Sequence, residues 1–238
     1  MTINSINKLE KYLKTAIIGI IVLLIYFFLP AFEEIIFELL GLNTNNLSLG
    51  IKITYSAIYD ILMLAILLLL LNKSIKKDFI DIKKNHKNYY QKYFKYYLIG
   101  LFVMMTSNLI ISAISKGGNA GNQEAITELF AVAPVYVYCS AVFIAPIVEE
   151  LVFRRAIKNI IPNSLLFILT SGLVFGGLHV IGTVEMWYDI LYLIPYSALG
   201  VAFAYILQKT DNIFVTIGLH FMHNGILMAL QVFVLLFG

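Results

Sequence analysis

The chain has 238 residues, 60% of them hydrophobic and only 13% charged, with a formal net charge of +3. A soluble domain of this size carries roughly a quarter charged residues, so composition excludes an ordinary soluble domain. The single cysteine, Cys139, excludes an intrachain disulfide, and nothing in the charge pattern calls for a nucleic-acid partner.

The first apolar run, 15–32, follows Lys8, Lys11 and Lys14. It is too long for the core of a cleavable signal and lacks a small-residue cleavage pattern, so it reads as a spanning helix. The stretch EEIIFELLG after it, Glu33 to Gly41, suits an interfacial helix. Further apolar runs predict spans over 53–72, 96–115, 129–153, 164–182, 189–207 and 212–236. The fold expected is all-α: a polytopic transmembrane helical bundle of about seven spans, with six to eight as the range. Between the second and third spans, residues 73–95 are rich in lysine and tyrosine and predict a basic cytoplasmic loop against lipid headgroups. His86 falls in that solvated charge run. Ser115 to Glu128 reads as a flexible outer loop, and Asp211–Asn212 as a tight inner turn.

Lysine and arginine bias sets orientation. With the N-terminus in the cytoplasm, fifteen of the seventeen basic residues lie inside, and only Lys52 and Lys116 fall outside. The chain therefore reads as a multi-pass integral membrane protein with a cytoplasmic N-terminus and membrane lipids as partners. Its richness in Ile, Lys, Asn and Tyr points to an AT-rich, bacterial genome and hence a bacterial cell membrane.

Ionisable residues inside spans are costly and are functional candidates by default. They are Asp60, Glu149, Glu150, Arg154, Arg155, His179, His220 and His223, with Asn224 as an uncharged companion. All but Asp60, which reads as structural, lie after residue 148. The sequence thus divides into a transmembrane scaffold, 1–126, and a core that carries the chemistry, 127–238.

An unbroken helix from Leu129 to Ile160 would be about 48 Å long, beyond a bilayer core of about 30 Å, so it must tilt, protrude or break. Pro146 is the predicted break and Pro162 the end. Glu150 and Arg154 are four residues apart and suit an ion pair. Glu149 is turned about 100° away, with no basic residue three or four positions along, and is left free to act as a general base. In FGGLH, Phe175 to His179, the two glycines let a backbone or a substrate approach the imidazole. In HFMHN, His220 and Asn224 share a helix face. Counted from the inner helix ends, His220, Glu149, Asn224 and His179 lie about 12, 16, 18 and 24 Å deep. These groups can form a water-activating site with a base, a histidine and oxyanion donors. They can equally offer Glu149, His179 and His220 to zinc.

EELVFR (Glu149 to Arg154), FGGLH and HFMHN, in this order, resemble the EExxxR, FxxxH and HxxxN motifs of the CAAX protease and bacteriocin-processing intramembrane protease family, also called the Abi family. The resemblance covers about Thr127 to Leu236. It implies hydrolysis of a peptide bond in a membrane-associated peptide or a lipidated protein, as in the eukaryotic members that cut prenylated proteins near the C-terminus. It implies Glu149 as the group that activates water, His179 assisting, His220 and Asn224 stabilising the oxyanion, and Glu150 with Arg154 in support. No cofactor is needed on this reading, with zinc as the alternative; the HExxH zinc motif is absent. A non-catalytic protein of the same fold, binding a membrane peptide or conferring bacteriocin immunity, is the competing expectation.

Overall fold

The computed structural model describes residues 3–39, 41, 47–115 and 120–237. Among them there is no strand. In chain order the helices are α1 (Ile3–Leu39), α2 (Leu49–Leu70), α3 (Asn72–Ile114), the short α4 (Gly121–Val132), α5 (Pro134–Ile160), α6 (Ser164–Val180), α7 (Leu193–Thr210, after a 3-10 turn Trp187–Tyr192) and α8 (Ile213–Phe237). All but α4 and the 17-residue α6 are long and apolar enough to cross a membrane. The seven expected spans fall on seven of these helices, and the protein is an all-α, multi-pass membrane bundle.

Four local expectations are corrected. The basic segment 73–95 is not a loop: α2 and α3 meet at Leu71 alone, and α3 runs unbroken for 43 residues. Lysine and glutamine are good helix formers, so dense charge marked contact with water rather than absence of structure. Asp78 and Tyr97 of α3 are buried against the bundle while most of its lysines point outward. Glu33–Leu39 is no separate interfacial helix but the end of α1, which continues through Pro30. The segment expected as a flexible outer loop, Ser115 to Glu128, is helical from Gly121 onward as α4, whereas 116–119 lie outside the described residues. Finally, the chain breaks at Ala133 (φ −141°, ψ 55°) rather than at Pro146. Pro134 forces its predecessor out of the helical region, and the same effect extends Ile161 before Pro162.

Two contacts fix the architecture around the later site. α6 and α7 approach backbone to backbone. A Cβ on Gly176 would meet Ser197 Oγ at 2.2 Å and Ser197 N at 2.8 Å, and one on Gly172 would meet Val201 Cγ2 at 2.3 Å. Gly176 therefore admits α7, whereas a Cβ on Gly177 would make only ordinary contact, with Ile181 Cδ1 at 3.6 Å. α3 crosses obliquely. Its Asp78 receives a hydrogen bond from Ile213 N (3.0 Å), its Tyr90 hydroxyl lies 3.4 Å from Phe214 O, and its Tyr97 hydroxyl is 3.3 Å from His223 Nδ1. About 28 Å of α3 thus passes about 15 Å of α8 at 1.5 Å per residue.

The two ends of the bundle are closed by different chemistry. At one, Arg155 pairs with Asp78, and Asp211 receives Lys77 and Lys158, each at 2.9 Å. Asn212 Nδ2 donates to Asp78 O at 2.8 Å, and Gln208 donates to Ser164 at 2.6 Å. Asp211 caps α7 with φ 49°, a left-handed conformation that aspartate tolerates better than most residues. At the other end, Ile111, Ala120, Val180 and Tyr192 form an apolar cluster, and Asn122 Nδ2 reaches the Tyr196 hydroxyl at 3.5 Å.

Candidate active site

Two wide turns interrupt the α-helical register of α5, at Ser140–Ile144 and Glu150–Ala156. Such π turns recur at functional sites because they free backbone groups and re-aim side chains. The first explains why Pro146 does not break the helix. In the widened register Ala145 N–H bonds to Ser140 O. The next donor in that register, toward Ala141 O, is the nitrogen of Pro146, which carries no hydrogen. The Ala141 carbonyl accepts instead from Asn224 Nδ2 at 2.8 Å. A proline on α5 thus sets the orientation of an amide on α8. One amide proton of Asn224 is committed to this bond and the other remains.

The adjacent glutamates go to different places. Glu150 is fully buried, as is Arg154, and their ion pair spans 3.4 Å. The Arg154 guanidinium lies 4.3 Å from the Phe175 ring centroid and 5.8 Å from that of Phe203, so two aromatic faces help to hold a cation for which water is out of reach. Glu150 also meets His220 Nδ1 at 3.1 Å. A carboxylate only accepts, so Nδ1 carries the hydrogen of that bond. The other ring nitrogen, Nε2, then faces Glu149 Oε2 at 3.6 Å. His220 therefore bridges the two carboxylates, and Glu150 supports both a cation and an imidazole. The Glu149 side chain keeps 19% of its exposure and lines a cavity of about 550 Å³.

His179, His220, His223 and Asn224 line the same cavity. His179 Nδ1 is 2.8 Å from Phe175 O, which leaves Nε2 as its free nitrogen. Its ring stacks on Tyr196 at 4.7 Å and lies 4.5 Å from Phe175. His223 is held by Tyr97 at the edge of the group. Every residue proposed from the motifs is thus accounted for. Glu149, His179, His220 and Asn224 share the cavity, while Glu150 and Arg154 lie buried behind it. Asp60 sits apart on α2 and accepts hydrogen bonds from Ser140 (2.7 Å) and Tyr136 (3.2 Å), tying α2 to the first wide turn.

The aromatic supports Phe175, Tyr196 and Phe203 were not singled out from sequence. Phe175 opens the FGGLH motif and touches His179, Arg154 and His220 (6.1 Å between ring centroids), so its place four residues before the histidine was the available signal. Among the described residues no three His, Cys, Asp or Glu side chains gather closely enough to hold a metal ion. His220 and His179 turn Nδ1 to Glu150 and to a carbonyl, and both keep Nε2 toward the cavity.

Comparison with known proteins finds similarity over the segment that carries these residues. Residues 131–226 match the family described as Type II CAAX prenyl endopeptidase Rce1-like. The chain is 26% identical over 199 residues, 80% of its own length and 77% of the other, to a Bacillus subtilis (strain 168) protein named "Putative membrane peptidase YdiL". It is 34% identical over 119 residues to an uncharacterized protein of Mycoplasma capricolum subsp. capricolum, covering 46% of this chain and 34% of that one. No solved structure matches. The segment that carries the wide turns, the two glutamates and the three histidines is thus the part of the chain similar to the CAAX prenyl endopeptidase family, and the similarity to a protein named as a membrane peptidase extends over most of the chain.

Proposed function

We propose that the protein is an intramembrane endopeptidase that hydrolyses a peptide bond of a membrane-associated peptide or protein, using a water activated by Glu149. The observation that carries this reading is the meeting of Glu149 and His220 at 3.6 Å on a cavity that His179 and Asn224 also line. Glu149 takes a proton from water while the water oxygen attacks the scissile carbonyl carbon. The free Nε2 of His179 accepts a second hydrogen bond from that water and orients it. The remaining N–H of Asn224 receives the oxyanion, joined by an Nε2–H of His220 in the doubly protonated form that its place between two carboxylates favours. Glu149 then returns its proton to the departing amine nitrogen as the C–N bond breaks, leaving a carboxylate and an amine.

The test compares the membrane peptidome of cells carrying the intact protein with that of cells carrying Glu149→Gln at equal membrane abundance. Loss of a set of cleavage products in the variant is the expected result. Identical peptidomes would favour the non-catalytic binding protein, which tolerates an isosteric change that a general base cannot.

A further inference from the structure

The cavity lies toward one end of the bundle, and charge distinguishes the two ends. Glu149, His220 and Asn224 sit near mid-helix. From there the lining continues through Asn108 and Ser112 of α3, Asn122 and Gln123 of α4, and Tyr192. These residues lie at the end where α3 finishes and α7 begins. Toward the opposite end the site is sealed. Six of the seven residues from Glu150 to Ala156 are at most 1% exposed, and Ile213, Val215 and Thr216 of α8 are fully buried. Below that floor lies the ionic closure of Asp78, Arg155, Lys158 and Asp211.

The sealed end is the basic one. Lys8, Lys11 and Lys14 begin α1, the α2–α3 junction opens into the lysine-rich start of α3, and Lys209 ends α7. At the open end stand Glu38, Glu124, Glu128, Glu185 and Asp189, with Lys52 as the one basic residue among those described there. Lysine and arginine are retained on the cytoplasmic side of a membrane, whereas acidic residues carry little orienting weight. We propose that the site is entered from the extracytoplasmic side, so that its substrate class is a peptide or protein whose scissile segment lies at or within the outer face of the membrane, and not a cytoplasmic C-terminal tail. This rests on the hydrolytic reading only in taking Glu149 as the centre of the site. It reverses the cytoplasmic access that helix depths counted from the inner turns lead one to expect, because depth does not reveal which side is plugged.

The test uses the full chain in cells, with Cys139→Ser as background and single cysteines at Ser74, Asn122 and Ala145. Ser74 marks the basic end, Asn122 the rim, and Ala145 the cavity wall one helical turn from Glu149. A small membrane-impermeant thiol reagent is applied to intact and to permeabilised cells. Asn122→Cys and Ala145→Cys are expected to label in intact cells, and Ser74→Cys only after permeabilisation. Labelling of Ser74→Cys in intact cells, or of Ala145→Cys only after permeabilisation, overturns the proposal. The same labelling repeated with Glu149→Gln reads access without chemistry. Normal peptide processing by Glu149→Gln with the expected labelling would defeat hydrolysis alone, and reversed labelling with processing lost would defeat sidedness alone.

Discussion

Glu149 and Glu150 are neighbours, yet their substitutions should fail differently. Glu150 is fully buried and serves Arg154 and His220 together. Glu150→Gln leaves a guanidinium unpaired behind the cavity and should cost about 3 kcal/mol, the usual effect of removing one partner of a buried pair. It should also release His220. Glu149→Gln should abolish processing with little change in melting temperature. Thermal melts of both variants in detergent check the contrast, and equal losses would remove the division of labour. For the metal question, the protein purified without chelator should hold far less than one metal per chain and keep its activity after strong chelation. Stoichiometric zinc, lost and restored together with activity, would return Glu149, His179 and His220 to the role of ligands. At this scale spacing was informative: four residues between Glu150 and Arg154 on one helix foretold their pairing. The bridging of both glutamates by His220 was not legible, because it joins residues 70 apart through tertiary packing.

The helix bearing the glutamates shows how a local rule can point to the right residue and the wrong effect. Pro146 was expected to break the span, and the true break came from Pro134 acting on Ala133. Pro146 works instead by withholding a hydrogen from the widened turn, which turns the Ala141 carbonyl toward Asn224. Pro146→Ala supplies a backbone donor that competes for that carbonyl. The expected outcome is an unchanged or higher melting temperature, since a proline leaves a helix interior, together with slower peptide processing. Unchanged processing would mean that Asn224 does not depend on this carbonyl for its orientation. The π turns themselves carry no sequence signature that periodicity detects. The helical state of 73–95 was missed for another reason. Its lysines obscured the inward positions Asp78, Tyr90 and Tyr97, whose partners Ile213, Phe214 and His223 lie more than a hundred residues away.

Across the whole molecule, the span count and helical class followed from apolar run length, which lipid enforces regardless of detail. The closure at the basic end did not, because it joins α3, α5 and the α7–α8 turn through side chains distant in sequence. Asp211 is the hub. Burial alone raises its carboxyl, but hydrogen bonds from Lys158 and Lys77, with the charges of Lys158 and Arg155, outweigh burial and lower it to about 2. A carboxyl held below its unfolded value of about 3.9 stabilises the fold fully above that value, and the contribution disappears as pH falls toward 2. Asp211→Asn keeps the left-handed turn accessible and removes the charge. At pH 6 it should cost under about 1 kcal/mol, because Asp211 is more than half exposed. The gap in melting temperature between the wild type and this variant should narrow as pH is lowered from about 4 toward about 2, the range between the two pKa values. A gap that widens on acidification would show that Asp211 is not the stabilising anion.

The glycine contact between α6 and α7 has a mechanical consequence. Backbones packed this closely behave as one jaw that does not slide, so His179, Tyr196 and Phe203 keep their mutual spacing whatever enters the cavity. α3 is pinned to that jaw at Gly100, where an added Cβ would meet Ala202 at 2.8 Å. Beyond this point its Met104, Met105 and Leu109 form cavity wall. A peptide chain needs a passage wider than a water molecule, and the give must come from the free upper length of α3 and from α4, joined to α5 by the unwound Ala133. His179 stays registered with its aromatic supports on the fixed half while the opposing wall yields, so entry of a chain into the cavity need not disturb that imidazole.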